Sequence, residues 1–445
     1  MEISVVGLGK LGLCTAAYFA SKGHVVVGVE KNDHVVGELE RKRCPVKETG
    51  LAELLESSWA NLAFTTDLQD AVSRSCVTLI IVPTQSGPDG TFSNEHVEAV
   101  LCGIGPALGG KNAFHVVDVV STVMPGSCEA VFKPLLEDIS GKHCGEDFGL
   151  VYNPEFIALG SVIENFARPD MVLIGASDEK SARIVKELYL DSCENQPHVA
   201  LMSLLNAEIT KLGLNCFVTM KISFANELTS ICERLPGADV DEITQAIGHD
   251  SRVGCKYLRG GLGFGGTCFP RDNLAFQVFA RRLGYEAQLS RATVAVNEEV
   301  LDRLFDLVCK NRWDAERVAL LGLSFKQGTH IIEQSQSIGL ARRLVGAGCT
   351  VSVHDPQALD GAKDVLGDTV AYFSDPYECV CDADSIVLLT RWPEFRELDW
   401  ERIDSNAKEG AVLLDCWREL KDRQFTKLEY IALGLGVDVG CPSAV

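Results

Sequence analysis

The apolar positions of the chain follow two rhythms in turn. Short apolar runs bounded by glycine, proline or charge recur at Glu2–Gly7, His24–Val29, Val77–Val82, His115–Val120, Gly149–Tyr152, Met171–Gly175 and Val199–Met202. Their length and β-branched content mark strands buried on both faces. Helix-like segments separate them, which predicts a parallel sheet with helices on both faces. From about Leu205 to Arg234 there is no proline and one glycine, and apolar residues crowd most faces of the wheel. That predicts one long helix buried between domains or subunits. Helices follow at Asp239–Ile247, Asn273–Leu283 and Leu289–Val308. The strand rhythm then returns at Arg317–Leu323, Thr350–His354, Ser385–Thr390 and Ala411–Leu414, with a helix at Ser335–Val345.

The first strand–helix junction carries Gly7-Leu8-Gly9-Lys10-Leu11-Gly12, and the second strand ends on Glu30, 18 residues after Gly12. Gly7 permits a tight turn, Gly9 lets a pyrophosphate approach the backbone, and Gly12 lets helix and strand pack closely. The helix N-terminus offers N–H donors to the phosphates. A carboxylate at Glu30 suits the adenosine ribose 2′-hydroxyl and repels a 2′-phosphate, so NAD is expected rather than NADP. The other reading, an ordinary βα turn, leaves the glycines, the helix and the acid in this order as coincidence. The expected fold is therefore α/β: two Rossmann-like doubly wound parallel-sheet domains, at residues 1–203 and 309–445, joined by a long central helix and an all-helical region at 204–308. The C-terminal sheet lacks the full glycine fingerprint at Gly322-Leu323-Ser324-Phe325-Lys326 and is expected to hold a different nucleotide.

Composition narrows the function. The chain has 445 residues and a formal charge of −21, which argues against nucleic acid or an anionic membrane as partner. No basic n-region followed by an apolar stretch opens it, and no membrane-length apolar run appears, so a cytoplasmic protein is expected. Seventeen scattered cysteines form no regular framework, in keeping with a reducing compartment. Cys379-Val380-Cys381 has no zinc-ligand spacing and the histidines form no HExxH pattern, so no metal is expected.

The most site-like stretch is Gly263-Phe264-Gly265-Gly266-Thr267-Cys268-Phe269-Pro270-Arg271-Asp272. A nearby cation favours a thiolate, the nucleophilic form of cysteine, although a flexible turn around a small buried cysteine is the bland alternative. Turns after the strands face the ligand crevice of such sheets; here they include Val82-Pro83-Thr84, Ser121-Thr122-Val123-Met124-Pro125-Gly126 and Asn153-Pro154-Glu155-Phe156. Glu155, directly after a strand, is a candidate acid/base, against the alternative of a solvated or capping glutamate. On the long helix Glu208, Lys211 and Asn215 share one stripe. Lys211 and Asn215 can stabilise an oxyanion, or Lys211 can simply pair with Glu208. Lys221 points elsewhere and is read as structural.

With these stretches assembled, the chain resembles the UDP-glucose/GDP-mannose dehydrogenase family over about 430 residues. The resemblance rests on GLGKLG at Gly7, STVMPG at Ser121, NPEF at Asn153, AEITKLGLN at Ala207, GFGGTCFPRD at Gly263 and Phe325-Lys326, in this order. It implies four-electron oxidation of a nucleotide-sugar primary alcohol to a carboxylate with two NAD per turnover, UDP-glucose foremost and another UDP- or GDP-hexose behind it. It implies a homodimer, or a multiple of one, built on the long helix. By the same resemblance Cys268 is the nucleophile that forms a thiohemiacetal and then a thioester. Lys211 and Asn215 stabilise the oxyanion and position a water, Asp272 and Thr122 assist proton movement, and Glu155 serves hydrolysis. NAD is expected to contact Gly7, Leu8, Gly9, Leu11, Gly12, Glu30 and Lys31, with Pro83, Thr84, Ser121, Thr122 and Arg271. The sugar nucleotide is expected at Glu155, Phe156, Ile157, Lys211, Asn215, Phe264, Gly265, Phe325 and Lys326, with Tyr257, Arg418 and, from across the dimer, Arg252.

The chain departs from the family pattern at its periphery. Leu159 stands where an acid is frequent, Glu333 and Trp417 where arginines contact ligands, and Arg271 where lysine is common; Arg418 is the neighbour expected to substitute beside Trp417. Two rival readings remain. One is a two-electron β-hydroxyacid dehydrogenase, which shares the dinucleotide domain and helical middle. The other is a non-catalytic nucleotide-sugar sensor, motivated by Glu333 and Trp417.

Overall fold

A computed structural model describes residues 1–157, 160–310 and 317–436, so Leu159 lies outside the described residues. The chain separates into two compact units, Met1–Gly213 and Leu214–Val445. The first holds an eight-stranded sheet of β1 (Glu2–Val6), β2 (Val25–Val29), β3 (Leu62–Thr65), β4 (Val77–Ile80), β5 (His115–Val119), β6 (Phe148–Tyr152), β7 (Met171–Ala176) and β8 (His198–Met202), in the order β3-β2-β1-β4-β5-β6-β7-β8. The inner strands are apolar on both faces because helices cover both, as a parallel sheet requires. One face packs on α1 (Lys10–Ser21) and α2 (Glu179–Ser192), through Phe19, Val116, Val120, Val151 and Tyr189.

One pairing departs from the expected parallel order: β6 and β7 run antiparallel, with Val151 opposite Ala176. Asn153, just past β6, donates its side-chain amide to Leu173 O on β7 at 2.7 Å. This ties the returning chain to the carboxyl end of β6. β3 escaped the reading of the sequence because it is a four-residue edge strand, half-buried throughout, with no strong apolar run.

The second unit contains the part of α3 (Leu204–Cys232) from Leu214 on, α4 (Val240–His249), α5 (Phe269–Arg282), α6 (Gln288–Lys310) and α7 (Gln336–Gly346). Its sheet is formed by β9 (Arg317–Leu321), β10 (Thr350–His354), β11 (Ala371–Tyr372), β12 (Ser385–Leu388), β13 (Val412–Asp415) and β14 (Glu429–Ala432). The order is β11-β10-β9-β12-β13-β14, and every pairing is parallel. β11 and β14 are short edge strands that the periodicity did not reveal.

The helices from Leu214 on fall within the same compact unit as the C-terminal sheet. Leu304 and Val308 of α6 and Leu262 share a core with Leu320, Val353 and Val387 of the sheet, so the helices from Leu214 on are continuous with it. Among the described residues no helix is long and apolar enough to cross a membrane.

Candidate active site

In the first unit the glycine-rich turn is shaped as its sequence required. Gly7 has φ +93°, and a Cβ there would meet Ile81 O at 2.4 Å. A Cβ at Gly12 would fall 1.8 Å from Gly7 O, so helix and turn touch backbone to backbone. At Gly9 nothing lies within 4 Å of such a Cβ, and Gly9 is the N-cap of α1 without a side-chain cap or an acid in the first turn. The first N–H groups of α1 therefore face an uncrowded approach suited to a pyrophosphate. Glu30 overhangs this turn, its Oε2 accepting from Leu8 N at 3.1 Å and its Oε1 from Asn32 N at 3.2 Å. Leu8 is buried beneath it, Leu11 is partly buried and Lys31 is exposed. The donor set and the cradle fit NAD.

The rim of the crevice is knit by short hydroxyl bonds. Ser121 Oγ donates to Val82 O at 2.7 Å and accepts from Val82 N at 2.9 Å, while Thr84 Oγ1 donates to Thr122 O at 2.6 Å. Thr84 and Ser121 thus hold the turns around Pro83 and Thr122 in place. Glu208, buried, accepts from Gly126 N at 2.6 Å and Cys128 N at 2.8 Å and anchors the same turn to α3. Glu208 is thereby engaged with backbone, and Lys211 Nζ donates to the carbonyl of Glu155 and lies 4.5 Å from the centre of the Phe156 ring.

Glu155 is clearly perturbed. Burial pushes its carboxyl up to about 7, partly offset by the hydrogen bond from Tyr189 and by the Lys211 charge. The Tyr189 hydroxyl donates to Glu155 Oε1 at 2.9 Å. An acid poised near neutrality is what proton transfer at physiological pH demands. Sequence reasoning missed Tyr189, which lies on α2, 34 residues away, and has no local signal. It also missed Asp118, fully buried on β5, whose two carboxylate oxygens have no hydrogen-bond partner among the described residues. Burial, with the Glu155 charge next, drives Asp118 well above the carboxylate range. Its presence within an apolar strand was the available signal.

In the second unit Cys268 is exposed and is the N-cap of α5, where aligned peptide dipoles favour negative charge. One turn on, the carboxylate of Asp272 is buried and accepts from Asn215 Nδ2 at 2.6 Å. Asn273 beside it donates to Thr219 Oγ1 at 2.9 Å and accepts from Ser290 Oγ at 3.0 Å, locking α3, α5 and α6 together. The loop before Cys268 is clamped rather than flexible. Asn297 accepts from Phe264 N at 2.7 Å and donates to Phe264 O at 3.0 Å, and Gln336 accepts from Gly263 N at 2.7 Å. A Cβ at Gly265 would meet Gln334 O at 2.4 Å, and one at Gly266, φ +82°, would meet the Phe325 ring at 2.7 Å. The glycines serve close packing against the 325–336 loop. Neither Asn297 nor Gln336 stands in a motif, so the sequence did not single them out.

The Arg418 side chain is fully buried, with φ +59°. It forms a two-pronged pair with Asp241 at 2.8 and 2.9 Å and donates to Leu433 O and Gly260 O. Its guanidinium is a structural clamp between α4, the 260 turn and the end of β14. Trp417 packs too, its ring 2.6 Å from where a Gly261 Cβ would lie and its indole N–H donating to Leu389 O at 2.8 Å. The Glu333 carbonyl accepts from Gly266 N at 2.9 Å. Arg252, held by Asp250 at 2.7 Å, has an exposed side chain, and Tyr257 is half-exposed against Phe269. Ile157 and Arg271 are partly buried, and the Lys326 ammonium lies 5.8 Å from the Phe325 ring centre. Glu155 and Lys211 thus meet in the first unit, with Thr122 on the turn that Thr84 holds, and Asn215, Cys268 and Asp272 lie together in the second.

A dinucleotide cradle, a near-neutral, half-buried carboxyl and an exposed thiol at a helix N-terminus suit an oxidoreductase that uses a dinucleotide cofactor. Models of the UDP-glucose/GDP-mannose dehydrogenase family match the chain along its length: the NAD binding domain at residues 1–192, the central domain at 205–299 and the UDP binding domain at 319–422. The UDP-glucose 6-dehydrogenase AglM of Haloferax volcanii is 36% identical over 429 residues, covering 95% of this chain and 98% of that protein. A solved UDP-glucose dehydrogenase of Pyrobaculum islandicum superposes with a TM-score of 0.87 at 34% identity, covering 98% of each chain. A UDP-D-ManNAc dehydrogenase of Pyrococcus horikoshii superposes with a TM-score of 0.82 at 26% identity, over 98% of this chain and 100% of that one. The chain belongs to the UDP-glucose/GDP-mannose dehydrogenase family. It is an NAD-dependent nucleotide-sugar dehydrogenase.

Proposed function

We propose that the protein oxidises the 6-hydroxyl of UDP-glucose to the uronate in two successive two-electron steps through a thioester on Cys268. The observation that carries this reading is the exposed Cys268 thiol at the N-terminus of α5, on a loop held rigid by Asn297 and Gln336 and followed by the Asn215–Asp272 pair. A simple alcohol dehydrogenation needs no such thiol, whereas covalent capture of the aldehyde lets one site oxidise twice without releasing it.

NAD held by the Gly7–Gly12 turn and Glu30 supplies the hydride acceptor for each oxidation. The first removes a hydride from C6 and the hydroxyl proton, leaving an aldehyde. The Cys268 sulfur adds to the aldehyde carbon to give a thiohemiacetal, with Lys211 and Asn215 steadying the oxygen. Loss of a second hydride and the hydroxyl proton gives the thioester. A water then attacks, Glu155 takes one of its protons, and the C–S bond breaks to return the Cys268 thiolate and a carboxylic acid, which loses the second proton to solvent. A carboxyl near 7 suits that proton transfer, since it is half ionised at neutral pH.

The working form is a homodimer. Phe217, Phe224 and Ile231 are exposed at seven-residue intervals along α3, an apolar stripe of the kind a second copy covers. Arg252, with its exposed side chain, reaches the partner's substrate.

Incubation with a panel of UDP- and GDP-hexoses, counting NADH and uronate, tests the reading. Two NADH per uronate with UDP-glucose preferred is expected. One NADH and no acid indicates the two-electron chemistry of a β-hydroxyacid dehydrogenase, no NADH across the panel a sensor, and preference for an N-acetylhexosamine or GDP-mannose another sugar.

A further inference from the structure

We propose that a single water, held between Asn153, Glu155 and Tyr189, is the standing proton partner of Glu155, and that Asn153 is a positioning residue for it. This rests on the reading of Glu155 as the carboxylate that serves thioester hydrolysis.

Behind the Glu155 carboxyl lies a cavity of about 20 Å³, whose lining includes Asn153, Glu155, Asn165, Val172, Leu173 and Tyr189. A cavity holds a water when it offers about 10–15 Å³ and two to four polar partners, so this one takes one molecule and no more. The decisive group is the Asn153 side chain. Its Nδ2 donates to Leu173 O at 2.7 Å, and only the amide nitrogen can donate to a carbonyl, so its Oδ1 is fixed as an acceptor. That Oδ1 is buried, and no donor among the described residues reaches it. Leaving a buried acceptor without a donor is costly, and a water is the group of the right size and polarity to supply one.

The second O–H of that water serves Glu155. When Glu155 is ionised the water donates to it; when Glu155 has taken a proton, its O–H donates to the water oxygen. The water offers both roles, and the Tyr189 hydroxyl, donating to Oε1, favours the ionised form. The charged and titratable groups facing Glu155 are Asp118 from β5, Tyr189 and Cys193 from α2 and its end, and Lys211 from α3. Asp118 is held protonated by burial and Lys211 is bound to the Glu155 carbonyl, so neither supplies a reversible partner.

A high-resolution crystal structure of the full protein is expected to show one water within hydrogen-bond distance of Asn153 Oδ1 and Glu155. The Val172→Ile variant adds a methyl to the lining and excludes the water while leaving every polar side chain in place. Loss of a donor to the carboxylate is then expected to raise the acid limb of thioester hydrolysis by about one pH unit, with hydrolysis at high pH, and KM, unchanged. Absence of the water in wild type, or an unshifted limb in a Val172→Ile enzyme whose structure lacks it, overturns the proposal. Glu155→Gln separates the two claims. A fully active Glu155→Gln enzyme that retains the water removes the catalytic reading and leaves the water site, whereas an inactive one without the water does the reverse.

Discussion

On the proposed mechanism the hydrogen bond from Tyr189 to Glu155 sets the pH at which the thioester is hydrolysed, and Tyr189→Phe deletes it with the least change of shape. The hydroxyl lies 2.9 Å from Glu155 Oε1. Tyr189 is among the forces that hold the Glu155 carboxyl down, and with it the value is about 7. A hydrogen bond to a charged group contributes about 1.5–3 kcal/mol, equivalent to about one to two pH units. Without it the carboxyl rises to about 8–9. With Glu155 as the proposed base only its ionised form works, so the acid limb of hydrolysis is expected to move upward by that amount. At pH 7 the active fraction then falls from about one half to between about one tenth and one hundredth, a loss of about five- to fifty-fold. Hydrolysis at the alkaline plateau stays within about two-fold. The decay of the thioester, followed by mass spectrometry of the intact protein between pH 5.5 and 10 at about half-unit steps, reads the limb directly. A Tyr189→Phe limb that coincides with wild type, or a loss of rate equal at every pH, refutes the assignment of Glu155 as the titrating base.

The glycine turn gives a paired prediction. Gly12→Ala places a Cβ 1.8 Å from Gly7 O and is expected to unfold or severely loosen the first unit, whereas Gly9→Ala meets nothing within 4 Å and should melt as wild type does. Calorimetric titration of Gly9→Ala with NAD is nevertheless expected to show at least about ten-fold weaker binding, because the methyl enters the pyrophosphate approach; unchanged affinity removes the pyrophosphate from that turn. Asp118 predicts a stability curve. Its folded-state value lies well above 3.8, so its protonated form is favoured in the folded chain and that advantage is lost as pH rises towards the raised value. Asp118→Asn is therefore expected to gain on wild type by about 1.4 kcal/mol per pH unit above about pH 4, with no pH-dependent gain below it. A difference that is flat with pH in denaturant titrations contradicts a protonated Asp118. Phe224→Asp, in the exposed stripe of α3, is expected to shift the sedimentation of the protein from dimer to monomer; an unaltered dimer places the interface elsewhere.

Much of this structure is written in local pattern. β1, the α1 turn and Glu30 could be read because strand, glycines, helix and acid follow within thirty residues and each has one physical task. Cys268 and Asp272 stood out through their neighbours, and α3 through its length without proline. What escaped was assembled across the chain. Tyr189 reaches Glu155 from α2, Asn297 and Gln336 grip the Phe264 loop from helices that look ordinary, and the antiparallel entry of β7 depends on one amide from Asn153. Edge strands β3, β11 and β14 are too short or too exposed to carry a periodic signal. The partners of Arg418 were equally illegible in sequence: Asp241 and two carbonyls from distant segments surround its guanidinium inside the fold. Trp417 and Glu333 look like lost ligand contacts in sequence, yet the Trp417 indole and the Glu333 carbonyl both brace the loop that leads to Cys268.

The most direct test of covalent, two-step oxidation at Cys268 is the product balance of Cys268→Ala. Binding of NAD at the wild-type affinity with no detectable uronate from UDP-glucose is the predicted result. Uronate formed at an undiminished rate contradicts the thioester mechanism.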